Sequence, residues 1–224
     1  MTAVLMAKRP DPGAVKTRLI GDRFDDHDAA ALSTAMMRCV ATRLGEIFDT
    51  VILAVSPDDA GALDLEPDDT IPQGDGDLGA RLTRVWETVR DRRGAGPVAF
   101  FGVDSPDAPR AELLTLRRYF RTDTAPIDVA IGPTFDGGYW TIASRRFEPS
   151  LFEGIEWGGP TVCAATKARA VAANRRVATL SRWYDVDEPP EVDALVDRLA
   201  HATEPALVRL RSDLAAIVRR RPKD

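Results

Sequence analysis

Histidine and cysteine are scarce in this chain of 224 residues, with two of each. No CxxC pair occurs, so a structural zinc site lacks its ligands. Cys39 and Cys163 sit in apolar, helix-like contexts and read as reduced, buried thiols of a cytosolic protein. No apolar run approaches the length of a membrane span, and the N-terminal run meets charge already at Lys8. A secretory leader is therefore not expected, and the cytoplasm is. Positive net charge is also missing. The balance is -5, which argues against general binding to nucleic acid. Neither a Walker A loop (GxxxxGK[ST]) nor a GxGxxG fingerprint follows the first strand.

The residues that remain alternate between strand-like and helix-like segments. Short apolar runs at 3–7, 50–56, 96–104, 128–134, 138–144 and 177–181 read as strands. Helical spacing connects most of them. Leu32, Met36, Val40 and Leu44 mark a first helix with Asp28 as its N-cap. Leu82, Val85, Trp86 and Val89 mark a second, over 78–92. Further helices are expected at 110–120, from Pro160–Thr161, after Pro189–Pro190, and over 203–221 at the C-terminus. This order predicts an α/β fold of Rossmann-like, three-layer α/β/α type with a mostly parallel sheet. No stretch reads as a linker, so residues 1–224 are expected to form one domain.

Open α/β sheets bind ligands at the carboxyl ends of their strands, so what each strand end presents is informative. The first presents KRPDPGAVKTR, where Lys8, Arg9, Lys16 and Arg18 could meet phosphate oxygens and Gly13 would allow close backbone approach. The alternative is a solvated basic loop. Its place at a strand end of an acidic protein favours phosphate. Asp104 ends the strand at 96–104, and Asp185 and Asp187 follow the short strand at 177–181. Carboxylates gathered in this way repel unless a cation lies among them, and hard oxygen donors suit Mg²⁺ or Mn²⁺. Asp187 could instead simply cap the following helix.

FDGGYW places Asp136 beside Gly137 and Gly138. It reads both as a tight hairpin and as a ligand loop in which Asp136 accepts bonds from substrate hydroxyls. QGDGDLGAR (73–81) reads as a loop entering a helix N-terminus, able to hold an anion or a base edge. Trp157 is either a core aromatic or a cover over the acceptor.

Five motifs in order carry a resemblance: AKRPDPGAVKTRL, QGDGDLGARL, FFGVDSPDAP, GPTFDGGYW and YDVDEPPEVDAL. Over about residues 1–195 they resemble a bacterial family of GT-A-type transferases, often labelled selenodomain- or radical-SAM-associated. More distantly they resemble 2-phospholactate guanylyltransferases and molybdenum-cofactor nucleotidyltransferases. The resemblance implies a nucleotide-diphospho-sugar transferase fold binding a nucleotide with Mg²⁺ or Mn²⁺. By the same match, Lys8, Lys16 and Arg18 would bind phosphate. Gln73, Gly74 and Gly79 would lie near the base, and Asp136 to Gly138 would meet the substrate. Asp104, Asp185 and Asp187 would hold the metal. The sequence departs from the Gly-rich loop of sugar nucleotidyltransferases and has a single aspartate, in VDSP, where many glycosyltransferases have DxD.

The expected activity is transfer of a sugar from a nucleotide-sugar to a small acceptor, with Asp104, Asp136 and Lys16 catalytic. The alternative is nucleotidyl transfer from an NTP to a phosphorylated small molecule. No nucleic acid or membrane partner is expected.

Overall fold

The computed structural model describes residues 1–57, 65, 67–121 and 126–219. Seven strands form one sheet in the order β3-β2-β1-β4-β6-β5-β7. They are β1 (Thr2–Lys8), β2 (Thr50–Ser56), β3 (Asp69–Pro72), β4 (Val98–Phe101), β5 (Val129–Pro133), β6 (Tyr139–Ser144) and β7 (Val177–Thr179). Adjacent pairs are parallel except at β6, which runs antiparallel to both β4 and β5. The tight Asp-Gly turn between β5 and β6 accounts for that exception, because a short hairpin can only join antiparallel strands.

Helices cover both faces. In β1, Ala3, Leu5 and Ala7 point to one face and Val4 to the other, and all four are buried. The first face packs on α1 (Asp26–Gly45) through Met37, Val40 and Leu44, and on α3 (Arg110–Phe120) through Leu113 and Leu116. The second packs on α2 (Leu78–Arg93) through Leu82, Val85 and Trp86, and on α4 (Val162–Ala172) through Cys163 and Ala170. The three-layer expectation therefore holds. A further cluster joins the outer side of α1 to α5 (Pro189–Leu199) and α6 (Pro205–Arg219) around Met36, Leu195 and Leu210.

Some expectations need correction at their edges. The N-cap of α1 is Asp25, with Asp28 the reciprocal partner in a capping box. Asp28 N donates to Asp25 Oδ1 at 2.8 Å. The fourth strand is shorter than 96–104, because the chain leaves the sheet after Phe101. Strand β3 carries no readable pattern, since only Ile71 of its four residues is buried. The expected C-terminal helix is present as α6, and residues 220–221 of that expectation lie outside the described residues. Among the described residues no helix is long and apolar enough to cross a membrane.

Candidate functional site

The carboxyl end of the sheet gathers four segments: the loop after β1, the turn after β4, the β5–β6 hairpin, and the stretch between β7 and α5. Lys16 is at their centre. Its backbone is left-handed, with φ 47°. A Pro- and Gly-containing loop turns sharply there, into a single turn of 3-10 helix at Thr17–Leu19. Its side chain is only 6% exposed. The ammonium donates to Asp104 Oδ1, to Val186 O at 2.6 Å, and to Asp187 Oδ1 at 2.8 Å. All three ammonium hydrogens thus have acceptors. Burial works to lower the Lys16 pKa, but the charges of Asp104 and Asp187 outweigh it and hold the group above its ordinary value.

Asp187 is free for this contact because it does not cap α5. Glu188 is the N-cap, and Glu191 Oε2 accepts from the backbone N–H of Asp187 at 2.6 Å and of Glu188 at 2.8 Å. Arg18 stands 4.0 Å from Asp187 Oδ2 and is 72% exposed, so it faces solvent. Lys8 Nζ donates to Ala14 O at 2.6 Å across the loop.

Lys8, Lys16, Arg18 and Gln73 line one cavity of about 360 Å³, with Asp104 and Asp187. Gln73 donates both amide hydrogens to carbonyls, Ala7 O at 2.9 Å and Ala54 O at 2.7 Å. That fixes its side chain and leaves its Oε1 as the group that can meet a ligand. The remaining expected nucleotide residues do not line this cavity. Arg9 pairs with Asp11 at 2.7 Å. Gly74 lies against the Arg84 guanidinium, and Gly79 packs under Trp157 and Phe152 O, where a Cβ would come within 2.7 Å of that carbonyl.

A second cavity of about 200 Å³ shares Asp104, Asp187 and Leu78 with the first. It is walled by Asp136, Gly138, Trp157 and Asp185. Asp136 is oriented through its Oδ1, which accepts from Thr134 Oγ1 and from Gly138 N–H at 2.9 Å. Gly137 does not line the cavity. It has φ +93° and abuts Pro160 O, so it serves the turn itself. Trp157 is partly buried with its Nε1 shielded from solvent, packed over Gly79.

Burial pushes the Asp185 carboxyl up to about 6, and the nearby charges of Asp136, Asp187 and Glu191 add to the effect. Asp104, Asp185 and Asp187 therefore share a cavity without converging as a closed cluster: among the described residues no three such groups are placed to hold a metal ion. Two of them hold Lys16 instead. The donor set nevertheless fits Mg²⁺ or Mn²⁺, which commonly take one or two carboxylates and complete their shell with phosphate and water.

Sequence reasoning missed Thr134, which aims Asp136, and Ser33. Ser33 is 3% exposed on α1 and reaches the first cavity. Its signal in the sequence is slight. Met36 and Met37 follow it by three and four residues, which sets a small hydroxyl among the apolar positions of a buried helix.

The layered sheet with its β6 reversal defines an α/β, Rossmann-like fold of the nucleotide-diphospho-sugar transferase type. The chain belongs to the family described as uncharacterized proteins conserved in bacteria (DUF2064), whose pattern matches residues 40–159. It is similar over its whole length to a candidate nucleotide-diphospho-sugar transferase from Desulfovibrio desulfuricans G20. That match has 29% identity and a TM-score of 0.79, and covers 100% of this chain and 98% of that one. Two more distant likenesses concern the fold alone. CMP:2-keto-3-deoxy-manno-octonic acid synthetase, solved with CTP, has 14% identity and a TM-score of 0.55, covering 89% of this chain and 98% of that one. A cytidylyltransferase from Leptospira borgpetersenii serovar Hardjo-bovis has 12% identity and a TM-score of 0.52, covering 99% and 98%. No curated protein matches the sequence.

Proposed function

We propose that the protein is a nucleotide-utilising transferase that moves a sugar from a nucleotide-sugar to a small acceptor. The observation that carries this reading is the pair of cavities joined at Asp104 and Asp187. One is walled by cations and suits a diphosphate. The other is walled by Asp136 and Trp157 and suits an uncharged, hydroxyl-bearing acceptor. Transfer between two substrates needs their reacting atoms to meet at such a junction.

In this reading Lys8 and Arg18 share the charge that develops on the leaving diphosphate. Asp136, held through Oδ1, offers Oδ2 to the acceptor hydroxyl and takes its proton as the new bond forms. Gln73 Oε1 accepts from the nucleoside. Trp157 covers the acceptor and excludes water. Asp104, Asp185 and Asp187 would hold Mg²⁺ or Mn²⁺ with the substrate phosphates, and that ion would supply charge neutralisation at the diphosphate.

One observation admits nucleotidyl transfer as the second reading. Lys8 and Arg18 leave the loop two exposed cations, which suit a triphosphate as well as a diphosphate. Thermal shift with Mn²⁺ separates the two. Stabilisation by nucleotide-sugars and not by NTPs supports sugar transfer, and the reverse supports nucleotidyl transfer. No shift with either sinks both.

A further inference from the structure

The first cavity contains a cation of its own, Lys16. It is placed there by its own left-handed backbone, is nearly sealed from water, and has every ammonium hydrogen committed. A lysine meant only for phosphate would keep donors to spare, as the solvent-facing Arg18 does. Asp104 and Asp187 come from segments 83 positions apart in sequence, after β4 and before α5, and Lys16 is the cation between them. A divalent ion on either of those carboxylate oxygens would meet the ammonium at close range, so the two cations exclude each other.

We propose that Lys16 is a resident counter-ion that occupies the carboxylate pair in the ligand-free protein and is exchanged when metal and phosphate enter together. The exchange balances charge. The carboxylates pass from ammonium to the divalent ion, and the ammonium passes from the carboxylates to a phosphate oxygen. Neither half is favourable alone. Metal without phosphate would strand a buried ammonium, and phosphate without metal would strand two carboxylates. The protein is thereby built to refuse free metal and to accept it only with a phosphorylated substrate. The inference rests on the nucleotide-site reading.

Its test needs no substrate and no turnover. Mn²⁺ alone is titrated by calorimetry or by electron paramagnetic resonance into the wild type and into Lys16→Met, each checked for folding by circular dichroism. The expected result is weak binding by the wild type and binding at least about tenfold tighter by Lys16→Met, a gain of about 1.4 kcal/mol. Arg18→Met also removes a positive charge near Asp187 and controls for the general field. Its gain should stay within about threefold, because its charge is exposed and screened. Adding Asp187→Asn to Lys16→Met should abolish the gain. Should Lys16→Met not fold, Lys16→Gln takes its place, as a neutral side chain of similar length. No tightening in the neutral variant, or a gain no larger than that of Arg18→Met, overturns the proposal. Failure of the wild type to respond to any nucleotide with Mn²⁺ would instead count against the nucleotide reading, whatever Lys16 does.

Discussion

Gly137 leaves room for nothing larger than hydrogen. A Cβ there would lie 1.9 Å from Pro160 O, and φ is +93°. Gly137→Ala must move backbone on one side or the other, and is expected to destabilise the fold by at least about 2 kcal/mol in denaturant melts. Because the hairpin carries Asp136, on the proposed reading the same change should weaken acceptor binding more than nucleotide binding. Asp128 gives a different kind of residue-scale test. The Arg176 guanidinium beside it, bonded at 2.9 Å, holds its carboxyl down at about 2. A depressed carboxylate stabilises the fold above its unfolded pKa, about 4, and that contribution is lost as pH falls towards 2. The melting-temperature gap between wild type and Asp128→Asn should therefore be open at pH 7 and close between about pH 4 and about pH 2. A gap that widens on acidification would refute the pairing. Arg176 is largely exposed, so the gap at neutral pH should be small.

At the scale of elements, one buried cation on α1 ties it to the loop after β4 and to the start of α6. Arg43 is 3% exposed, and it donates to Pro106 O and to Ala108 O, each at 2.7 Å, and to Glu204 at the start of α6 at 2.7 Å. Arg43→Met leaves two carbonyls and a carboxylate short of a donor, and is expected to cost about 3 kcal/mol by chemical denaturation. The figure is at the low end because Arg110 also reaches Glu204, at 3.3 Å. Glu204→Gln alone should cost less, since both carbonyl contacts persist. Most elements could be read from the chain because each carries its own period: Leu82, Val85, Trp86 and Val89 define the buried face of α2 wherever it packs. The hairpin was readable from Asp-Gly alone. What could not be read depends on contacts between distant segments. The identity of the α5 cap turns on Glu191 reaching back to Glu188, and that contact decides whether Asp187 is free. Lys16 was legible as a cation at a strand end, but not as the partner of carboxylates 88 and 171 residues away. Spacing within a motif carries no information about such a meeting.

On the scale of the whole molecule, the sheet order explains how charges so far apart in sequence come together. Strand β1 lies centrally, between β2 and β4, so its loop opens beside the turn that carries Asp104. Antiparallel β6 fills the position beyond β4 and sets β5 and β7 further out, where their ends bring Asp136 and Asp185 to the same side. An acidic protein can present a cationic wall in this way, because Lys8 and Arg18 need to be positive only locally.

The same strand order has a consequence for synthesis on the ribosome. Strand β4 lies between β1, which is made before it, and β6, at 139–144, which is made after it. Lys16 is among the first residues made, and its second carboxylate arrives 171 residues later. A nascent chain that stops before Asp187 lacks one of the two carboxylates that hold Lys16. On the proposed nucleotide reading, nucleotide should protect from proteolysis only chains translated past the start of α5, which limited digestion of truncated chains would check.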